Sequence, residues 1–241
     1  MTLEGVRTIC TYSCKNNCSF CYQKERNGKF LSTKKFTNAL NGVDFLPIYF
    51  TFQGGEVSFF PEETLKVLNI ADKRFPQVFR KSITTSGVGD LEFYKETKKY
   101  GITHFSFSLH KRNPKTESKI LKLARSGFFT IRVNCFFSEE RMKEVEEVLS
   151  FCIENDIQLT LCEDLRLSKN PKNSETILKK IVKNYKIERY KLQSIYWLKD
   201  NKFRFWVYKH LDNYDYNNLI ILPDGSTTIT FNDVMDCHGN Y

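Results

Sequence analysis

Eight cysteines occur in the 241 residues, and four of them fall close together in Cys10-Thr-Tyr-Ser-Cys14-Lys-Asn-Asn-Cys18-Ser-Phe-Cys21. Cys14, Cys18 and Cys21 follow one another with three and then two residues between. Three thiolates on a cubane iron–sulfur cluster leave one iron without a protein ligand, an open position that can take a substrate or cofactor. A structural zinc site fills all four of its positions, and four clustered cysteines could also close around zinc. Only the last three keep the three-then-two spacing. Cys10 falls inside an apolar run that reads as a strand, where its side chain points into a barrel or a helical layer.

Other chemistry-bearing residues follow later apolar runs. Gly54-Gly55-Glu56 closes the second run; the glycines permit close backbone approach to an ammonium, and Glu56 offers a charge-assisted acceptor or braces the loop. Thr84-Thr85-Ser86-Gly87 closes the third, with Ser86 placed to bond a ligand or to make a turn. In the fourth, Ser106, Ser108 and His110 share one face and imply a polar-lined cavity; His110 can be a proton donor, a substrate contact or a structural histidine. The fifth carries Arg132 and Asn134, and Arg7 lies on the first. Cys162, Glu163 and Asp164 stand at the end of the sixth.

These positions require a scaffold that gathers strand ends. From residue 5 to about 163, short β-rich runs alternate with amphipathic segments, the pattern of βα units around a parallel sheet. The strand candidates are Val6–Thr11, Ile48–Gln53, Lys81–Thr85, His104–Leu109, Thr130–Phe136 and Gln158–Leu161. Ser32 caps a helix from Thr33 to Leu40, Pro61 opens one to about Lys73, and Ser138 starts one to about Glu154. On that last helix Cys152 shares the apolar face of Val145, Val148 and Leu149 and reads as core. The fold class is α/β: a partial (βα)6 TIM-like barrel over residues 1–165, with a small α+β C-terminal appendage over 166–241. The appendage holds a helix from Ser174 to Tyr185, strand-like segments at Tyr190–Trp197, Phe203–Tyr208 and Asn218–Leu222, and a hairpin turned at Pro223-Asp224-Gly225 into Ser226–Phe231. In such folds the chemistry lies beyond the C-terminal ends of the strands, where each motif above falls.

CxxxCxxC after the first strand of a βα-repeat chain resembles the signature of the radical S-adenosylmethionine (SAM) superfamily, and Phe20 before the last cysteine fits it. The resemblance implies a 4Fe–4S cluster on Cys14, Cys18 and Cys21. Its fourth iron would be chelated by SAM, which one-electron reduction cleaves to methionine and a hydrogen-abstracting 5′-deoxyadenosyl radical. Gly54-Gly55-Glu56-Val57 is similar to the family's GGEP element, which contacts the SAM amino group, with Val57 for proline. Thr84-Thr85-Ser86-Gly87 resembles the TTNG element of the branch of GTP 3′,8-cyclases and SPASM/twitch-type peptide maturases, with Ser86 for asparagine. By the same likeness Ser108 contacts SAM, His110 replaces an acid, and Asn134 belongs to an IKVN element at the SAM site. Arg7 and Arg132 match positions where the cyclases hold substrate phosphate, and so imply an anionic group on the substrate.

The second, C-terminal cluster of the cyclases is not visible in the sequence: Cys237 is the one cysteine after residue 165, and a three-thiolate site would need Cys135 or Cys162 to contribute. This argues against GTP cyclisation. The favoured substrate is a peptide or protein side chain; alternatives are a nucleotide- or sugar-modifying enzyme and a glycyl-radical activating enzyme. A zinc- or Fe–S-containing regulatory module is the reading from a different class. The electron donor implied is a flavodoxin or ferredoxin. Lys and Arg number 37 against 28 Asp and Glu, for a net charge of +9. That favours anionic partners, yet the lysines are spread over helix faces, which argues against nucleic acid. No run approaches the roughly 18 apolar residues of a membrane span, so the expected compartment is the cytoplasm. There, clustered cysteines read as ligands rather than disulfides.

Overall fold

The computed structural model describes residues 3–16, 18, 21, 28–163, 176, 179–180, 185–189, 193–198, 204–208 and 218–229. In chain order the elements are β1 (Gly5–Ile9), α1 (Thr33–Asn41), β2 (Tyr49–Gln53), α2 (Pro61–Arg74), β3 (Arg80–Thr85), α3 (Leu91–Glu96) and β4 (Ile102–Ser108). They continue with α4 (Pro114–Arg125), β5 (Thr130–Phe137), α5 (Met142–Glu154), β6 (Gln158–Glu163), β7 (Tyr185–Arg189), β8 (Gln193–Leu198), β9 (Arg204–Tyr208), β10 (Asn218–Ile221) and β11 (Thr227–Thr228). Two compact units are formed: residues Met1–Phe105 with Ser126–Thr130 and Tyr214–Tyr241, and residues Ser106–Arg125 with Ile131–Asn213.

In the first unit β1 pairs in parallel with β2 on one side and β10 on the other, β2 pairs in parallel with β3, and β11 folds back antiparallel on β10. One face of this sheet is apolar because alternate residues are: Val6, Phe50, Phe52 and Ile83 are fully buried. Phe36 of α1 packs edge-on against the stacked rings of Phe50 and Phe52. The residues between them, Arg7, Thr51 and Gln53, face the other way and stay partly accessible. Ser32 caps α1 by accepting from the Lys35 amide, and Pro61 with Glu62 and Glu63 opens α2, both as the sequence predicts. The hairpin between β10 and β11 turns where expected: Gly225 N–H donates to Leu222 O, and Asp224 accepts from the amide and hydroxyl of Ser226. Ile220 and Leu222 pack with Ile9 of β1.

In the second unit β5, β6 and β9 are parallel neighbours, while β9, β8 and β7 form an antiparallel meander. Its core joins Val133, Cys135, Phe137, Leu159 and Leu161 from the strands to Val145, Val148, Leu149 and Cys152 from α5. Cys152 is thus a core residue.

Two expectations shift. The first strand ends at Ile9, so Cys10 lies one residue beyond it, although its amide still donates to Gln53 O at 2.7 Å. Ser138 stands at the N-cap of a 3-10 turn, Glu139–Arg141, that runs into α5 at Met142, but its hydroxyl makes no capping hydrogen bond. Arg141, which ends that turn, reaches back with its guanidinium to the carbonyl of His110. The helix expected over Ser174–Tyr185 lies largely outside the described residues, as does the end of the hairpin at Phe231; Tyr185 itself begins β7.

Candidate functional site

The loop that carries the three cysteines leaves the first unit at the C-terminal end of β1, and backbone hydrogen bonds set its stem. Leu31 N–H donates to Cys10 O at 2.7 Å, closing the loop where it returns. Beside the outgoing strand, Gly55 N–H donates to Thr11 O at 2.7 Å and Glu56 N–H to Ser13 O at 3.0 Å. The glycine pair makes this possible. A Cβ on Gly54, whose φ is +142°, would stand 2.4 Å from Thr11 O, and one on Gly55 would stand 2.1 Å from Ser13 O. What the glycines approach here is the chain's own cysteine stem.

Glu56 is 1% exposed, and its carboxylate is saturated. Oε1 accepts from the Ser58 amide at 3.1 Å, the Ser58 hydroxyl at 2.7 Å and the Thr85 hydroxyl at 2.6 Å. Oε2 accepts from the Ser86 amide at 2.6 Å and the Ser86 hydroxyl. Five donors hold a buried charge without a cation. Of the two roles open to Glu56 from sequence, bracing the loop is the one the geometry displays: it clamps the end of β3 to the end of β2. Ser86 is part of that clamp, and Thr85 continues it to the phenol of Tyr94, 3.1 Å away. Burial, then the Glu56 charge, push that phenol up to about 12.

Cys14, Cys18 and Cys21 are each partly accessible. The Cys14 thiol lies above its ordinary pKa, first through burial, against a lowering contact with Asn16 O; Glu56, Cys18 and Cys21 add to the rise. The three thiols and Glu56 therefore share one electrostatic neighbourhood. Among the described residues no three ligands are gathered tightly enough to hold a single metal ion. A cubane asks for something else, because each thiolate sits on a different iron. Three accessible thiols on a pinned loop suit such a cluster. Cys10 departs from them: it is fully buried, its Sγ points to Thr8 O, and burial pushes its thiol up to about 12. That removes the four-cysteine zinc arrangement.

In the second unit, Ser106, Ser108, Arg132 and Asn134 lie on partly accessible strand positions. Asn134 O accepts from the Leu109 amide at 3.0 Å. His110 Nδ1 accepts from the Phe136 amide at 3.1 Å, which leaves the ring proton on Nε2. Burial, helped by Arg141, lowers His110 to about 3, so the ring offers a neutral N–H and no imidazolium at ordinary pH. Cys162 sits on the same face as Arg132 and Asn134; burial raises its thiol to about 12, with Arg132 acting in opposition. Arg7 belongs to the first unit. Phe20, Asp164 and Cys237 lie outside the described residues. Sequence reasoning missed Asn16, Ser58, Tyr94 and Arg141. Ser58, two residues after a glutamate, was the one with a local signal.

The chain thus sets three partly accessible cysteines beyond the first of its parallel strands. The model of the radical SAM superfamily matches residues 8–147, and the chain belongs to that superfamily. No curated protein matches it. Among solved structures it is similar to SuiB of Streptococcus suis bound to S-adenosylmethionine, with TM-score 0.66 and 14% identity over 95% of this chain and 60% of that one. It is also similar to anSMEcpe with bound AdoMet, with TM-score 0.61 and 16% identity over 76% and 60%. A further structure of anSMEcpe holds AdoMet and a Cp18Cys peptide, with TM-score 0.55 and 16% identity over 68% and 52%. These likenesses establish the fold, a partial TIM-like barrel whose sheet is not closed. The chain spans about 60% of the length of the SuiB structure.

Proposed function

We propose that the chain is a radical SAM enzyme: Cys14, Cys18 and Cys21 hold a 4Fe–4S cluster used for reductive cleavage of SAM, and hydrogen is then abstracted from a substrate. The observation that carries this is the set of three accessible cysteines on a loop pinned at the end of β1, inside the superfamily match. When bound, the cluster and SAM supply the electron and the radical. The chain's own part is to hold the ligand loop in place, through the Gly54–Gly55 contact and the Glu56 clamp, and to present Ser108 and Asn134 on accessible strand positions as SAM contacts. His110 serves as a neutral donor through Nε2–H.

The substrate favoured is a peptide or protein side chain. Support comes from the fold shared with anSMEcpe, whose structure holds a peptide. Arg7 and Arg132, both partly accessible, favour a substrate with an anionic group, and a nucleotide or sugar phosphate is the second reading. Reduction would come from a flavodoxin or ferredoxin. Anaerobic reconstitution tests the cofactor: the expected product is a brown chain with four irons and four sulfides, whereas a colourless chain holding one zinc would contradict the proposal.

A further inference from the structure

The stem of the cysteine loop is fixed up to Ser13, but the ligands lie beyond it. Asn16, between Cys14 and Cys18, is tied to a different strand: its Nδ2 donates to Ser86 Oγ at 2.8 Å. Ser86 Oγ in turn donates to Glu56 Oε2. Ser86 Oγ thus gives its proton to Glu56 and accepts the amide N–H of Asn16. The geometry points to a relay, Asn16 to Ser86 to Glu56, that positions the Cys14–Asn16 stretch of the ligand loop. Asn16 and Ser86 are its positioning residues.

Both ends of the relay are anchored. Glu56 cannot swing away without abandoning four other donors in a site where it is 1% exposed. At the other end, the Asn16 carbonyl lies 3.9 Å from Cys14 Sγ, so fixing the Asn16 side chain also fixes the peptide against which that thiol rests. Lys15, beside it, is placed 5.3 Å over the Phe59 ring. The relay accounts for serine at position 86, where the family element has asparagine. A serine hydroxyl is too short to reach the cysteine turn alone, and here the amide that completes the span is carried by the turn, at Asn16. The relay consists of one amide and one hydroxyl, which makes the exchanged pair N16S/S86N its direct test.

This inference rests on the proposed cluster for its purpose but not for its first test. In the apo chain, trypsin cleavage after Lys15 reports how often the turn opens. Rates are normalised to those of the urea-unfolded variants. Ser86→Ala and Asn16→Ala are each expected to speed cleavage roughly five- to tenfold, the effect of losing one partly buried hydrogen bond. The exchange N16S/S86N should return it towards the wild-type rate. Asn16→Ala leaves every Glu56 contact in place, so it remains decisive if Ser86→Ala fails to fold. In the reconstituted chain the same variants should lose iron to a chelator faster, in the same order. Unchanged cleavage and iron loss in both single variants would overturn the relay, as would an exchange variant no better than either single one. Failure of the wild type to take up iron would sink the radical reading alone; the cleavage rates of the apo chain would still judge the relay.

Discussion

Glu56 ties the site together through five hydrogen bonds to three residues. Its buried carboxylate takes two donors from Ser58, one from Thr85 and two from Ser86, so a single residue joins the exits of two strands. Replacing it by alanine leaves those donors facing a cavity. Glu56→Ala is therefore expected to cost about 3 kcal/mol in urea unfolding. Gly55 makes a steric demand of a different kind. A methyl group there would meet Ser13 O at 2.1 Å, and neither backbone can move without breaking the stem. Gly55→Ala should cost about 2 kcal/mol and lower the iron bound per chain on reconstitution. At this scale the sequence was legible where residue type and spacing act together: the cysteines and the glycines could be picked out before any contact was known. Its bonds to Thr85 and Ser86 could not, because those residues stand some thirty positions away and the register of β2 with β3 brings them together.

Elements show the same division. The six strands were readable from period, and the starts of α1 and α2 from capping, since Ser32 and Pro61 act on neighbours within one turn. The contact of Arg141, just before α5, with the His110 carbonyl was not, since it spans thirty-one residues. His110 ties the exit of β4 to β5, and its titration gives a test. With a folded value of about 3 against an ordinary 6.5, the unfolded chain binds more protons between those limits. Stability from this group is thus complete above about pH 6.5 and is lost as pH falls towards 3. Chemical unfolding of His110→Gln should show a shallower decline over that window than wild type; parallel curves would mean the ring is not buried in this way. At the other edge of the first unit, Ile220 of β10 is fully buried beside Ile9 and Leu222. Ile220→Ala is expected to cost about 2–4 kcal/mol, and a value near zero would argue that β10 does not pair with β1.

For the whole chain, the superfamily, the α/β fold and the position of the cysteines agree, while the proposed substrate class rests on a few side chains at partly accessible strand positions. Composition could not identify it, because a net charge of +9 spread over helix faces fits many anionic partners. Among the described residues no helix is long and apolar enough to cross a membrane. Function at this scale reduces to one claim, that three thiols at the end of β1 support reductive cleavage of SAM. The direct measurement is anaerobic: the chain is reconstituted with iron and sulfide, given dithionite and SAM, and assayed for 5′-deoxyadenosine beside Cys18→Ala. The account predicts 5′-deoxyadenosine from the wild type and none above background from the variant. A wild type that carries a complete cluster and binds SAM yet forms no 5′-deoxyadenosine, or a variant that forms as much as wild type, would contradict it.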